Sequence, residues 1–201
     1  MTAAHTRTGP VVRMLLVACA LAGCQSATGS EQQSPPPANQ PVEAESFRST
    51  RDYQQVALPV RLRIPAARVD TELEQLGRMP DGSIAVPDAF DVAGWYAEGP
   101  RPGQPGPAVI LGHVDSKKGP AVFYDLARLP TGTEIHVDRA DGSTATFRMT
   151  GRSQVRKTLF PTELVYGATL EPSLRLVTCG GVFNRSAGSY LDNVIIYAAL
   201  A

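Results

Sequence analysis

Cysteine is scarce in this sequence. Only three occur in 201 residues, Cys19, Cys24 and Cys179, and none has an obvious partner, so a disulfide scaffold is excluded. Net charge is also missing: 19 Lys and Arg balance 19 Asp and Glu, and no basic block stands out, which argues against nucleic acid as a partner. Long apolar runs are absent too. The run Met14 to Ala22 is too short to span a bilayer as a helix, which takes about 20 residues. No internal repeat is present.

What the first residues do contain is a secretory pattern. Arg7 and Arg13 precede the short apolar run, as the charged region of a signal peptide precedes its hydrophobic region. The run ends Leu21-Ala22-Gly23-Cys24, which resembles the lipobox of bacterial lipoproteins. That resemblance implies a diacylglycerol on the Cys24 thiol and cleavage that leaves Cys24 as the new N-terminus. An ordinary cleaved signal or an uncleaved anchor is the alternative. Residues 1–24 are therefore expected to be a signal peptide. Residues 25–55, rich in Pro, Gln and Ser, bury too little apolar surface to fold and are expected to form a tether. A flexible tether of that kind reaches about 25–30 Å. Residues 56–201 suffice for one domain with a sizeable core.

Strand signals dominate that domain. Pro59-Val60-Arg61-Leu62-Arg63-Ile64 alternates apolar and basic residues, the period of a half-buried strand. Ser83 to Val86 is a short candidate stopped by Pro87. Ala108-Val109-Ile110-Leu111 is continuously apolar, as a central strand is. Glu134 to Asp138 and Thr144 to Met149 alternate again around Asp141-Gly142, a strong hairpin signal. Leu174–Val177 and Val194–Tyr197 complete the set. Short helical pieces are expected only around Ala121–Arg128 and Pro161–Val165. The pattern predicts a mostly β fold, a closed or nearly closed barrel of about eight strands with short helices.

Two of the apolar strands deliver a reactive side chain. Val109-Ile110-Leu111-Gly112 leads to His113, and Leu176-Val177-Thr178 leads to Cys179 ahead of Gly180 and Gly181. If the two strands are parallel neighbours, both side chains emerge at one rim of the sheet. With Cys19 in the signal and Cys24 lipidated, Cys179 is the single thiol left in the mature chain. A cysteine nucleophile acts as its thiolate and needs a cationic neighbour. His113 can be that neighbour and can later protonate a leaving amine. The glycines after Cys179 let backbone N–H groups approach a bound carbonyl. The alternative for Cys179 is a buried hydrophobe, and for His113 a core histidine satisfied by backbone. His5 lies in the signal. His136 sits with Glu134 and Asp138 on the polar face of an alternating strand, which suits surface exposure. A metal site built from Cys179, His113 and Asp115 lacks a further spaced His or Cys, so neither metal nor cofactor is expected.

Leu176-Val177-Thr178-Cys179, with a strand ending Gly112-His113 before it and Asn193-Val194-Ile195-Ile196-Tyr197-Ala198 after it, resembles the sortases of Gram-positive bacteria. Val92-Ala93-Gly94-Trp95-Tyr96, Gly112-His113-Val114-Asp115-Ser116, Thr178-Cys179-Gly180-Gly181 and Tyr190-Leu191-Asp192-Asn193 are most similar to the actinobacterial class F (class E/F-like) type. The resemblance covers the domain from Val60 onward. It implies a β-barrel cysteine transpeptidase that cleaves a Leu-Pro-x-Thr-Gly-like sorting signal on secreted proteins through a thioacyl-enzyme. The product would pass to an amine acceptor, a cell-wall precursor or a pilin lysine. The same resemblance makes Cys179 the nucleophile and His113 the acid/base, and sets Thr178, Gly180 and Asn193 at the substrate. Its essential arginine falls on Arg185 or on nothing, because many sortases place that arginine at the start of the final strand, where this chain has Asn193. Most relatives are held by a transmembrane helix, whereas a lipobox would lipid-anchor this chain. Either device leaves the barrel on the extracytoplasmic face of the cell membrane.

Two other readings remain open on the residues alone. One is another exported cysteine hydrolase such as an L,D-transpeptidase, although its Ser-His-Gly-Cys signature is replaced here by Val-Thr-Cys-Gly. The other is a lipoprotein that binds a peptide and catalyses nothing. For the anchor the expected outcome is specific. A palmitate analogue fed to cells should label the wild-type chain and leave Cys24→Ala unlabelled, because two acyl chains on one cysteine hold a protein firmly at a membrane.

Overall fold

The computed structural model describes residues 56–201, so the expected signal peptide, Cys24 and the tether lie outside the described residues. β1 (Pro59–Ile64) turns Leu62 and Ile64 inward and leaves Arg61 exposed, as its alternation predicts. β2 (Val69–Leu76) follows a single 3₁₀ turn and pairs with β1 antiparallel. β3 (Ala93–Tyr96) is short and buried on both faces. β4 (Gly106–Gly112), β7 (Glu134–Arg139), β8 (Thr144–Arg156), β9 (Pro172–Asn184) and β10 (Ser189–Leu200) supply the remaining barrel strands. The order around the closed barrel is β1-β2-β3-β4-β9-β10-β8-β7, with β7 returning to β1. A two-stranded hairpin of β5 (Asp115–Ser116) and β6 (Gly119–Pro120) sits just past β4.

The expected barrel is therefore present, with differences of detail. Ser83–Val86 is not a strand: Ile84 makes only an isolated bridge to Arg78, and Pro87 ends any extension because it cannot donate to a ladder. β2 was not anticipated. Its inward residues Val69 and Thr71 alternate with exposed Asp70 and Glu72, and threonine and acidic residues weaken the apolar half of the period on which such a reading relies. Of the expected helical pieces, the one around Ala121–Arg128 is reduced to a 3₁₀ turn at Leu126–Arg128, while α1 (Thr162–Tyr166) lies within one residue of the expected Pro161–Val165. No helix among the described residues is long and apolar enough to cross a membrane.

Two apolar layers hold the domain. Inside the barrel, Leu62, Trp95, Ile110, Phe123, Phe147 and Leu176 pack together almost fully buried. On the outside of β3, β4, β9 and β10, a second cluster forms from Tyr96, Val109, Leu111, Val177 and Ile195, with Val165 of α1 laid over it. Because β4 is covered on both faces, its sequence is continuously apolar rather than alternating.

The polar outer face of β1 is tied down by paired charges. Arg63 grips Asp138 through two bonds of 2.7 Å, and Thr144 donates to the same carboxylate at 2.7 Å. The Arg63 guanidinium holds the Asp138 carboxyl at about 2, below the usual carboxylate range. A carboxyl lowered in the folded state stabilises the fold above its unfolded value and loses that effect as pH falls through the folded one. Asp138→Asn should thus lose about 1 kcal/mol at pH 7, discounted for partial exposure, and the gap to wild type should close between about pH 4 and pH 2. Urea melts across that window measure it.

Candidate active site

β4 and β9 are parallel neighbours, in register from Gly106 opposite Pro172 to Leu111 opposite Val177. Two further residues along each strand stand His113 and Cys179. Side chains alternate along a strand, so His113 shares a face with Leu111, and Cys179 shares one with Val177. That face is the outer one, above the second apolar cluster. A groove of about 880 Å³ runs over it and is lined by His113, Cys179, Val109, Leu111, Val177 and Asn193 among others. The sequence expectation that both reactive groups emerge at one rim agrees with this register.

Local structure explains how each group is held. The His113 carbonyl accepts from the Phe123 N–H at 2.9 Å, fixing the backbone as it leaves β4. Its ring lies against Phe90, with centroids 4.6 Å apart. The ring Nε2 is 2.7 Å from the Pro87 carbonyl oxygen. A carbonyl can only accept, so Nε2 carries the proton and Nδ1 is left as the atom that can take up or release one. Cys179 is half-buried and free, and its thiol has no hydrogen-bond partner among the described residues. Of the two glycines behind it, Gly180 lies where a Cβ would come within 2.7 Å of Val194, and Gly181 has φ +74°. Gly181 adjoins the bulge where the β9–β10 register shifts between Tyr190 and Asp192. Both glycines therefore have packing reasons of their own, independent of chemistry.

The other expected site residues separate. Asn193 lies directly opposite Cys179 in the β9–β10 ladder and lines the groove. Thr178 is buried, borders the groove, and its hydroxyl lacks any hydrogen-bond partner among the described residues. Arg185 is exposed in the turn between β9 and β10 and does not line the groove. Among the described residues no group of three or more His, Cys, Asp and Glu is arranged to hold a metal. His136 faces Thr146, 3.2 Å from its hydroxyl, on the far strand pair β7–β8.

Some of the site was not legible beforehand. Tyr190 donates to the Asp115 carboxylate, joining the segment after His113 to the strand beside Cys179. This bond, with burial second, pushes the Tyr190 hydroxyl up to about 12, so it remains a donor at neutral pH. Pro87, Phe90 and Arg78 come to the site from loops, Tyr96 from the short β3 and Tyr166 from the end of α1. Burial raises the Tyr166 hydroxyl to about 12 as well. Sequence offered one signal for Tyr190, its place just before Asp192-Asn193, and none for the loop residues.

Comparison with known proteins agrees with this geometry. Residues 62–201 match the sortase-domain family. Among solved structures, the chain is similar to sortase C-1 from Actinomyces oris at TM-score 0.54 and 18% identity, covering 71% of this chain and 74% of that one. It is similar to sortase A from Corynebacterium diphtheriae at TM-score 0.54 and 16% identity, covering 74% of this chain and 63% of that one. A Clostridium perfringens sortase D5 transpeptidase gives 0.53 and 20%, with 71% and 78% covered. At these identities the structural likeness speaks for the fold. No curated protein sequence matches.

The tight passage from β4 to His113 generates a test. A Cβ at Gly112 would meet Phe123 at 2.7 Å and Val122 at 2.8 Å, and Phe123 is fully buried. Gly112→Ala should lower unfolding stability by about 1–3 kcal/mol, the usual range for overpacking. Gly77→Ala, which meets open space, should change it little in the same denaturant titration.

Proposed function

The chain belongs to the sortase family of cysteine transpeptidases, and from that premise we propose that Cys179 and His113 are its reacting pair. The observation that carries this reading is the parallel register of β4 and β9, which brings the thiol and the imidazole to one rim above an apolar groove. The peptide acyl segment lies in the groove with its scissile carbonyl at Cys179. The Cys179 thiol gives its proton to His113 Nδ1, the resulting thiolate attacks that carbon, and a tetrahedral intermediate forms with negative charge on oxygen. Collapse breaks the C–N bond, and His113 gives a proton from Nδ1 to the departing amine. A thioester remains on Cys179. An incoming primary amine then attacks it, loses its proton to His113, and leaves with the acyl group while the thiol is regenerated. The Pro87 carbonyl serves as the orienting acceptor on Nε2, a role that a carboxylate often fills.

Asn193 and Arg185 divide the oxyanion role. Asn193 is the donor already in register with the thiol, with a carboxamide that makes no other hydrogen bond among the described residues. Arg185 would have to reach in from the hairpin tip, where its guanidinium adds charge and a two-donor fork. Thr178 borders the groove but continues the inward series of Leu176 with its hydroxyl buried, so its part in binding falls to its backbone, as does that of Gly180. The finer assignment to the class F type rests on the motifs around Trp95, His113, Cys179 and Asn193. Sorting-signal proteins are the acyl donors, and a cell-wall precursor or pilin lysine is the amine acceptor. A lipid anchor at Cys24 would hold the enzyme on the extracytoplasmic membrane face. The non-catalytic binder and the L,D-transpeptidase are disfavoured by the family match.

The test is single-turnover acylation by a Leu-Pro-x-Thr-Gly peptide, followed by mass spectrometry. Wild type should gain the acyl mass on Cys179, and Cys179→Ala should gain none while melting normally. His113→Ala should acylate at least about 100-fold more slowly. Asn193→Ala should lose more than Arg185→Ala if the donor in register holds the oxyanion. Equal and large losses in Arg185→Ala and Arg185→Lys would give the role to the guanidinium instead.

A further inference from the structure

The end of the groove far from Cys179 carries a charged residue that the reaction does not use. Tyr96 follows Trp95, which pairs with Ile110, so Tyr96 stands beside Val109, four residues back along β4 from His113. At about 3.3 Å per residue this is about 13 Å from the reacting end. There Arg78 lies with its guanidinium carbon 5.7 Å from the Tyr96 ring centroid. Its Nε donates to the Tyr96 hydroxyl oxygen at 2.8 Å and to Glu98 at 2.9 Å. Its two Nη groups have no hydrogen-bond partner among the described residues, although Arg78 lines the groove. The bonds at Nε fix the plane of the guanidinium and leave its outer two-donor edge open, the edge that fits a carboxylate bidentately.

We propose that Arg78 is a specificity-determining residue that reads an acidic side chain on the substrate, one position upstream of the four-residue motif ending at the acylated carbonyl. The claim rests on the sortase reading of the groove and adds a position to it. An extended peptide rises about 3.3 Å per residue, so four residues span from the thiol to Tyr96 and the fifth comes level with Arg78. The charge of the groove favours the same ligand. Its lining holds Arg78 and Lys157 against Glu98 alone, and Lys157 is engaged by Ser189 at 2.7 Å. Glu98 lies beside the subsite and weakens it, since its carboxylate repels an incoming one.

The experiment uses the full chain and three sorting peptides that differ only at the fifth position, carrying Glu, Gln or Lys. Acylation kcat/KM should rank Glu above Gln above Lys, with Glu exceeding Lys by about 3–10-fold at low salt, the scale of a partly exposed ion pair. The spread should shrink at 1 M salt. Arg78→Gln should bring the kcat/KM values of the three peptides together, read as ratios among the peptides within that variant, and Glu98→Gln should widen the preference for Glu. A ranking that survives Arg78→Gln, or no ranking in wild type, overturns the proposal while leaving the transpeptidase intact. Failure of every peptide to acylate Cys179 removes the transpeptidase reading and this subsite with it.

Discussion

The parallel pairing of β4 with β9 is the constraint on which the rest of the molecule depends. Parallel strands cannot be joined by a tight turn and need a long connection. Here the chain between them runs through β7, β8 and α1. That detour does more than return the chain. β8 pairs with β10 and so closes the barrel beside the strand that carries Cys179, while α1 covers the outer apolar cluster that floors the groove. One pairing thereby sets the neighbours, the wall and the floor of the site.

Side-chain parity then decides which face becomes chemical. Ile110 and Leu176 point into the barrel, and their neighbours Val109, Leu111 and Val177 point out. His113 and Cys179 continue the outward series. A slip of one residue in either strand would turn a reactive group inward, into a core already filled by Phe123 and Phe147. Packing inside the barrel and register at its surface are therefore one requirement, met by the same run of apolar residues.

The sequence was most informative where structure is local or periodic. β1, β7 and β8 announce themselves by alternation, β4 by its unbroken apolar run, and the thiol by its isolation. β2 was hidden because Thr71, Glu72 and Glu74 dilute its pattern, and β3 because four residues are too few to show a period. The loop residues that build the site carry no sequence mark at all. Pro87 bonds His113 across 26 positions, and only the closed barrel makes them neighbours. The same limit separates Arg185 from Asn193. Arg185 is nearer to Cys179 along the chain, but the hairpin folds back so that Asn193 is the residue opposite.

The short β3 has one more consequence. Trp95, the only tryptophan in the sequence, is 2% exposed inside the barrel, and its indole N–H is bonded to the Pro100 carbonyl at 3.1 Å. Tyr96, the next residue, faces the groove. Alternation along a strand thus puts the molecule's one strong fluorophore on the opposite side of the sheet from the groove. Its emission follows the integrity of the barrel rather than the occupancy of the groove, so an optical signal separates a misfolded variant from one that is folded and idle.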